Sequence, residues 1–459
     1  MMKMKKMVLV MCATAGLAGC GDLSVPDLNR PSVESFEDSP TRSGVISAAT
    51  GLLIGHRAGV AAQNGYVSML GVLGRESYVL DTADPRYVSE MLAGNGLDPG
   101  SPAFGGNFWV NPYANIRNAN TLLNALDKVA GVSEAEKKAI RGYTKTIQAL
   151  DFLVVINTRD TNGAPIDVNR PLGATLAPIE TKEAVLAHIA MLLDEAKAEL
   201  EGGGEAFPFP LSSGFTGFDK PASFLKFNRA VKARVDVYRQ DWNAALTDLS
   251  GSFLDATPGK LDVGVYHAFG TGSGDTQNNL NGENLYAHPN VFKDAEMQVD
   301  DPATTGVDES TKRDDRVLRK VGQAKEERKW QDVGSDKIFT LYPDFTSKVP
   351  IIRNEELILL RAEANIQLGN FDAALTDLNF IRTNSGKLKA ITPNLEDLNK
   401  DLLVNQLLVQ RRYSLLFEGG HRWIDMRRYN KLNELPLDAA GHRVHAAFPL
   451  PISETDARK

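Results

Sequence analysis

The chain has 459 residues, 42% hydrophobic and 24% charged, a composition with material for a large core and too apolar for general disorder. Its net charge of −7 at neutral pH excludes broad polyanion surfaces of the nucleic-acid-binding kind, because such binding needs Lys and Arg to neutralise phosphates. Only two cysteines are present, Cys12 and Cys20, so no disulfide framework is expected.

The opening "MMKMKKMVLVMCATAGLAGC" places Lys3, Lys5 and Lys6 before an apolar run from Met7 and then small residues. That is the layout of a bacterial export signal, too short for a membrane span. It ends in Leu17-Ala18-Gly19-Cys20, which looks like a lipobox: small residues admit a signal peptidase, and the Cys20 thiol then accepts lipid. The alternative is an ordinary cleaved signal with an incidental cysteine; the small residues directly before Cys20 favour lipidation. Loss of residues 1–19 removes three lysines and no acid, taking the net charge from −7 to −10. No later run is long and apolar enough to span a bilayer, so a lipid anchor of palmitate type is expected, not an embedded chain.

Residues 20–40 are polar and punctuated by proline, an extended tether running into the domain. Helical patterning fills 41–254. Tyr113, Ile116, Asn120 and Leu123 recur at three and four. Ser133 and Glu136 form a predicted capping box leading into Ala139, Tyr143, Ile147, Leu150 and Val154. Val185, Ile189, Leu192 and Ala196 mark a further amphipathic helix. An internal echo follows: the string AALTDL occurs at 244–249 and again at 373–378. Aligned on it, Trp242 matches Phe371 and Ala233 matches Ala362, each copy reading as helix, short turn, helix. This is similar to the tetratricopeptide hairpin, although copies 129 positions apart do not make a simple contiguous solenoid.

Residues 255–349 lack sustained periodicity and are expected to be an irregular, loop-rich insert. The insert is nevertheless rich in aromatic residues, which argues against disorder. No HExxH, GxSxG or P-loop motif is present, and Gly270, Gly272 and Gly274 neither follow a strand nor open a helix. His442 and His445 by themselves make an incomplete metal shell, and they sit after a turn near the terminus. No catalytic residue, metal site or cofactor is therefore expected. Aromatic rings suit a different task, because the flat C–H faces of sugars stack on them. Trp330, Tyr286, Tyr266 and Trp109 are the candidate ligand-binding rings, with a core role the alternative for each, and for Trp109 in particular.

Near the end stands "LLFEGGHRWIDMRRYN", residues 415–430. The preceding helix places Val404, Leu407, Leu408 and Leu415 on one face, and Arg411 falls on that face. A core-facing arginine needs a carboxylate, since an unpaired buried charge is very costly. Glu418, two turns on, and Asp425 are the expected partners. Arg411, Glu418 and Asp425 are thus read as a structural network, with His421 the member able to titrate near neutrality.

In order along the chain, "FWVNPYANIRNANTLLNAL", "DDRVLRK", "RNEELILLRAEANIQLGNFDAALTDLNFIRTNSG", "QRRYSLLFEGGHRWIDMRRYN" and "FPLPISETD" resemble the SusD/RagB family of nutrient-uptake lipoproteins. The resemblance implies a mainly α fold of tetratricopeptide-like hairpins supporting a loop-rich ligand-binding face, its C-terminal part spanning 350–459. It implies a lipid-anchored outer-membrane protein facing the cell surface. There it would bind a glycan or other oligomeric nutrient, not cleave it, and pass it to a TonB-dependent, SusC-like barrel transporter. Gln410 and Ser414 stand where the family usually has Glu, and Gly419-Gly420 where many members have one glycine. A surface glycoside hydrolase and a tetratricopeptide adaptor for protein partners are the competing readings.

Overall fold

In a computed structural model of the chain, residues 33–171, 173–298, 312–394 and 397–459 are described. The signal, Cys20 and the tether up to residue 32 lie outside them. Helices α1 (Val33–Asp38), α2 (Arg42–Arg57) and α3 (Tyr66–Leu73) lead to strand β1 (Ser77–Val79) and the short α4 (Arg86–Ser89). Four long helices follow, α5 (Asn107–Leu126), α6 (Glu134–Arg159), α7 (Lys182–Glu201) and α8 (Pro221–Arg239), each packed on the one before it. The start of α6 is written locally: Ser133 N–H donates to Glu136 Oε2 at 2.8 Å, and Ser133 Oγ accepts from Glu136 N at 3.3 Å. The predicted stripe Ala139, Tyr143 and Ile147 is fully buried.

Helix α9 (Trp242–Ser250) closes a hairpin with α8, and α12 (Asn354–Gln367) with α13 (Phe371–Asn384) forms the second copy of the sequence echo. The copies match in their turns and in the ties between their helices. Gln240 and Gly369 are both left-handed, with φ of 61° and 81°. The turns close by equivalent bonds, Asp241 N–H to Asp236 O at 2.9 Å and Asn370 N–H to Asn365 O at 2.8 Å. Lys232 reaches Asp248 at 3.4 Å where Arg361 reaches Asp377 at 2.6 Å, each tying the two helices of its hairpin. Ala233 and Ala362 are fully buried, letting the backbones approach. Although distant in sequence, the hairpins are neighbours in space, α9 and α8 packing on α12. The helical stack is therefore continuous, with the intervening chain looped out of it.

That intervening chain is irregular only in part. It contains β2 (Gly264–His267), β3 (Leu285–Ala287), α10 (Pro289–Lys293), α11 (Asp315–Lys320), β4 (Val321–Trp330), β5 (Val333–Phe339) and β6 (Val349–Arg353). Strands β4 and β5 form an antiparallel hairpin turned at Gln331 (φ 53°), and they join a four-stranded sheet in the order β1-β3-β5-β4. This corrects the expectation of an irregular insert. Strand β4 is mostly exposed, so "VGQAKEERKW" needs no apolar alternation, the signal by which a strand is read. Strand β2 pairs with β6 and returns the chain to α12. Helices α14 (Lys400–Ser414), α15 (His421–Arg428) and α16 (Ile452–Asp456) complete the fold. A main core runs through the N-terminal helices and the sheet, and a second, smaller one lies between α12, α13 and α14 around Ile358, Leu378 and Leu407.

Candidate functional site

The stretch 415–430 is buried and saturated with ion pairs. Arg411 Nε donates to Asp425 Oδ2 at 2.6 Å, both side chains being at most 3% exposed. Arg428 completes the group, reaching Asp425 Oδ1 at 2.8 Å and Glu363 Oε1 at 2.9 Å. Burial alone would raise the Asp425 carboxyl, but Arg411 and Arg428 outweigh it and hold it below the usual range. Glu418 does not join Arg411, contrary to the two-turn spacing. It belongs to a second network, accepting from Lys320 Nζ at 2.6 Å and Arg353 Nε at 2.9 Å. The physical reason is the turn at 415–420: Phe417 is left-handed (φ 57°), so α14 ends before Glu418. Gly420 (φ 76°) is obligatory there, since an added Cβ would lie 2.3 Å from Leu70 Cβ. Gln410 and Ser414 both serve this second network, accepting from Arg316 at 2.8 and 3.0 Å. His421 is not a neutral-range titrator, because burial draws it down to about 4. A neighbouring cavity of about 70 Å³, lined by Tyr66, Arg234, Glu418 and His421, has room for a few waters and no sugar ring.

The four candidate rings fall in three places. Tyr286 pairs with Ile338 of β5, and Trp330 with Val333. Those β5 positions differ by five, an odd number, so the two rings lie on opposite faces of the sheet. Both rings are half-buried and packed against the main core, and Trp330 Nε1 is buried with no protein partner. Tyr266, at a β-bulge in β2, lines a cleft of about 270 Å³ with Arg57, Phe215 and His267. Trp109 lies in the floor of a larger cleft, of about 350 Å³. His442, buried, contacts Asp332 at 3.3 Å and His445 a backbone carbonyl; among the described residues no cluster of three His, Cys, Asp or Glu could hold a metal.

The larger cleft is built on α5. Trp109, Tyr113 and Arg117 recur every four residues and form one stripe along that helix. Their spacing was visible in the sequence, but Tyr113 read there as one of a run of core positions. The Trp109 and Tyr113 rings lie 4.8 Å apart and tilted by 57°. Trp109 is only 6% exposed, so Tyr113, half-buried, shows the larger ring surface. The opposite wall is a strap, residues 165–171 and 173–179, closed at its base by the reciprocal bridge Ala164–Glu180 (3.1 Å each way). Gly163 (φ 71°) makes that closure possible, because an added Cβ would meet Glu180 O at 2.1 Å. Tyr113 Oη donates to Pro165 O at 2.8 Å and fixes the strap to the floor. Arg170 folds the strap on itself through Asp167 Oδ2 and Thr175 O, and Arg458, beyond α16, donates to Ala177 O at 2.6 Å. Beneath Trp109 lies Arg159, fully buried, its guanidinium carbon 5.5 Å from the indole centroid. It donates to Gly105 O and Thr158 Oγ1, and burial pulls it down to about 10.

Residues 327–447 match the model of the SusD family. No curated protein sequence matches the chain. Among solved structures, one titled a laminarin-binding SusD-like protein is similar at 17% identity and a TM-score of 0.67, over 91% of this chain and 98% of the other. A SusD-like carbohydrate-binding protein from Bacteroides fragilis is similar at 15% identity and a TM-score of 0.67, over 87% and 88%. A SusD superfamily protein from Bacteroides thetaiotaomicron is similar at 14% and 0.66, over 91% and 98%. At these identities the likeness shows the fold.

Proposed function

We propose that this chain, whose residues 327–447 match the SusD family model and whose described fold is similar to SusD-like proteins, belongs to that family, binds a glycan in the cleft on α5 and delivers it to a TonB-dependent barrel transporter. One observation carries the site: two aromatic rings 4.8 Å apart in an open cleft of about 350 Å³, rimmed by guanidinium and carboxylate groups. That volume lies in the range of small-molecule sites. A sugar ring lays its C–H face on the exposed side of Tyr113 and the edge of Trp109, and its hydroxyls meet Arg117, Asp167 and Glu454.

The reading is binding without cleavage. Glycoside hydrolysis needs two carboxyl groups facing each other across the scissile bond, one of them free to give a proton. Asp167 and Glu454 are the carboxylates of the cleft, and each is held by an arginine, Arg170 and Arg458 respectively. The lipid anchor at Cys20 and the outer-membrane, surface-facing location belong to the same proposal. The described residues contain no helix long and apolar enough to cross a membrane. A glycan array, followed by a reducing-end assay on every glycan that binds, tests the function. Binding with no new reducing ends supports it; release of reducing ends makes the protein an enzyme.

A further inference from the structure

Charge in this cleft is unbalanced. Arg170 and Arg458 are matched by Asp167 and Glu454, pair by pair. Arg117 is exposed, lines the cleft and has no ion-pair or hydrogen-bond partner among the described residues. Arg159, under the floor, is fully buried and makes only neutral contacts, Gly105 O at 2.6 Å and Thr158 Oγ1 at 3.0 Å. A buried cation without a carboxylate is uncommon, because its field goes uncompensated. Two positive charges thus stand in surplus around one pair of aromatic rings, on a chain whose net charge is −7. The strap leaves Arg117 at the end of the stripe, one helical turn beyond Tyr113, where a group carried by a ring stacked on Tyr113 would arrive.

We infer that the cleft selects an acidic glycan, one whose stacked sugar carries an oxyanion met by Arg117 above the field of Arg159. This rests on the reading of the cleft as the glycan site. The guanidinium fork matches a carboxylate in two parallel hydrogen bonds and also takes a sulfate ester, so the shared chemistry is a ring-borne anion.

The test is titration of the full protein with a tetragalacturonide, with the same oligomer after reduction of its carboxyl groups, and with a sulfated tetrasaccharide of chondroitin type. The wild type is expected to bind one of the acidic oligomers about tenfold more tightly than the neutral one, and the preference to shrink as salt rises. Arg117→Gln should abolish most of that preference, weakening the acidic oligomer far more than the neutral one, which loses only its hydroxyl contact to Arg117. Preference for the galacturonide assigns a carboxylate, and preference for the chondroitin oligomer a sulfate. Equal affinity for acidic and neutral oligomers, both weakened by Tyr113→Ala, overturns the anion selectivity and keeps the cleft. Binding indifferent to Tyr113→Ala overturns the cleft as the site, and the inference with it. Failure of both acidic oligomers to bind also overturns it.

Discussion

Asp425→Ala removes the carboxylate that faces two buried guanidinium groups. Arg411 has no other ion pair among the described residues, and its Nη1 and Nη2 are already buried without partners. Removing the partner leaves a fully desolvated cation, a change that costs about 3–5 kcal/mol. Arg428 keeps Glu363, so the loss falls mainly on Arg411 and sits toward the middle of that range. With an unfolding entropy of about 2.1 cal/mol/K per residue, 459 residues amount to about 1 kcal/mol/K, and the melting point should fall by about 3–5 °C. Calorimetry on Asp425→Ala and on Glu434→Ala makes the comparison sharp. Glu434 pairs with Lys431 at 2.6 Å as Asp425 does with Arg411, but its side chain is 53% exposed. Solvent screening should hold its effect within about 0.5 kcal/mol. Equal melting points for the two variants would refute the assignment of stability to buried pairing.

Other outcomes follow from the same physics. Glu76 is fully buried and makes no ion pair among the described residues, and burial pushes its carboxyl up to about 8, against the lowering field of Arg422. Its folded value lies above its unfolded value, so its contribution is full below about 4.5 and is lost as pH rises through about 8. Glu76→Gln should therefore flatten the loss of stability that accumulates between about pH 5 and 8 in denaturation curves; an unchanged slope over that range contradicts a neutral Glu76. Gly420→Ala, forced against Leu70 in a left-handed backbone, should cost about 2–4 kcal/mol, read from the denaturation midpoint, and a wild-type midpoint would deny the close approach. Cys20→Ala should abolish incorporation of a fatty-acid analogue and release folded protein from the membrane fraction, whereas equal labelling would remove the anchor from the proposal.

Local physics was readable in the sequence, and partners far along the chain were not. The Ser133–Glu136 box and the paired hairpins each involve neighbours within a turn or a helix, where spacing alone carries the contact. Arg411 on an apolar face demanded a carboxylate, and Asp425 answers it. Glu418 looked like an equal partner by spacing, yet its cations are Lys320 and Arg353, 98 and 65 residues away. Nothing in a local window announces such pairs. The β4–β5 hairpin escaped because exposed strands carry no apolar alternation. Tyr113 and Arg117 escaped because a helix with two useful faces shows one period for both, and the core face is the one that hydrophobicity reports.

The most direct measurement is the affinity of three variants for a glycan that the wild type binds. Tyr113→Ala removes the half-buried ring of the cleft, Tyr113→Phe keeps the ring and loses only the bond to Pro165 O, and Trp330→Ala removes a ring at the sheet, away from the cleft. Stacking on one ring is worth about 1–2 kcal/mol by analogy with aromatic pairs, so Tyr113→Ala should weaken binding about tenfold. Tyr113→Phe and Trp330→Ala should stay within about threefold of wild type, a difference of some 0.6 kcal/mol. Wild-type affinity in Tyr113→Ala, or the larger loss in Trp330→Ala, would contradict the cleft on α5 as the binding site.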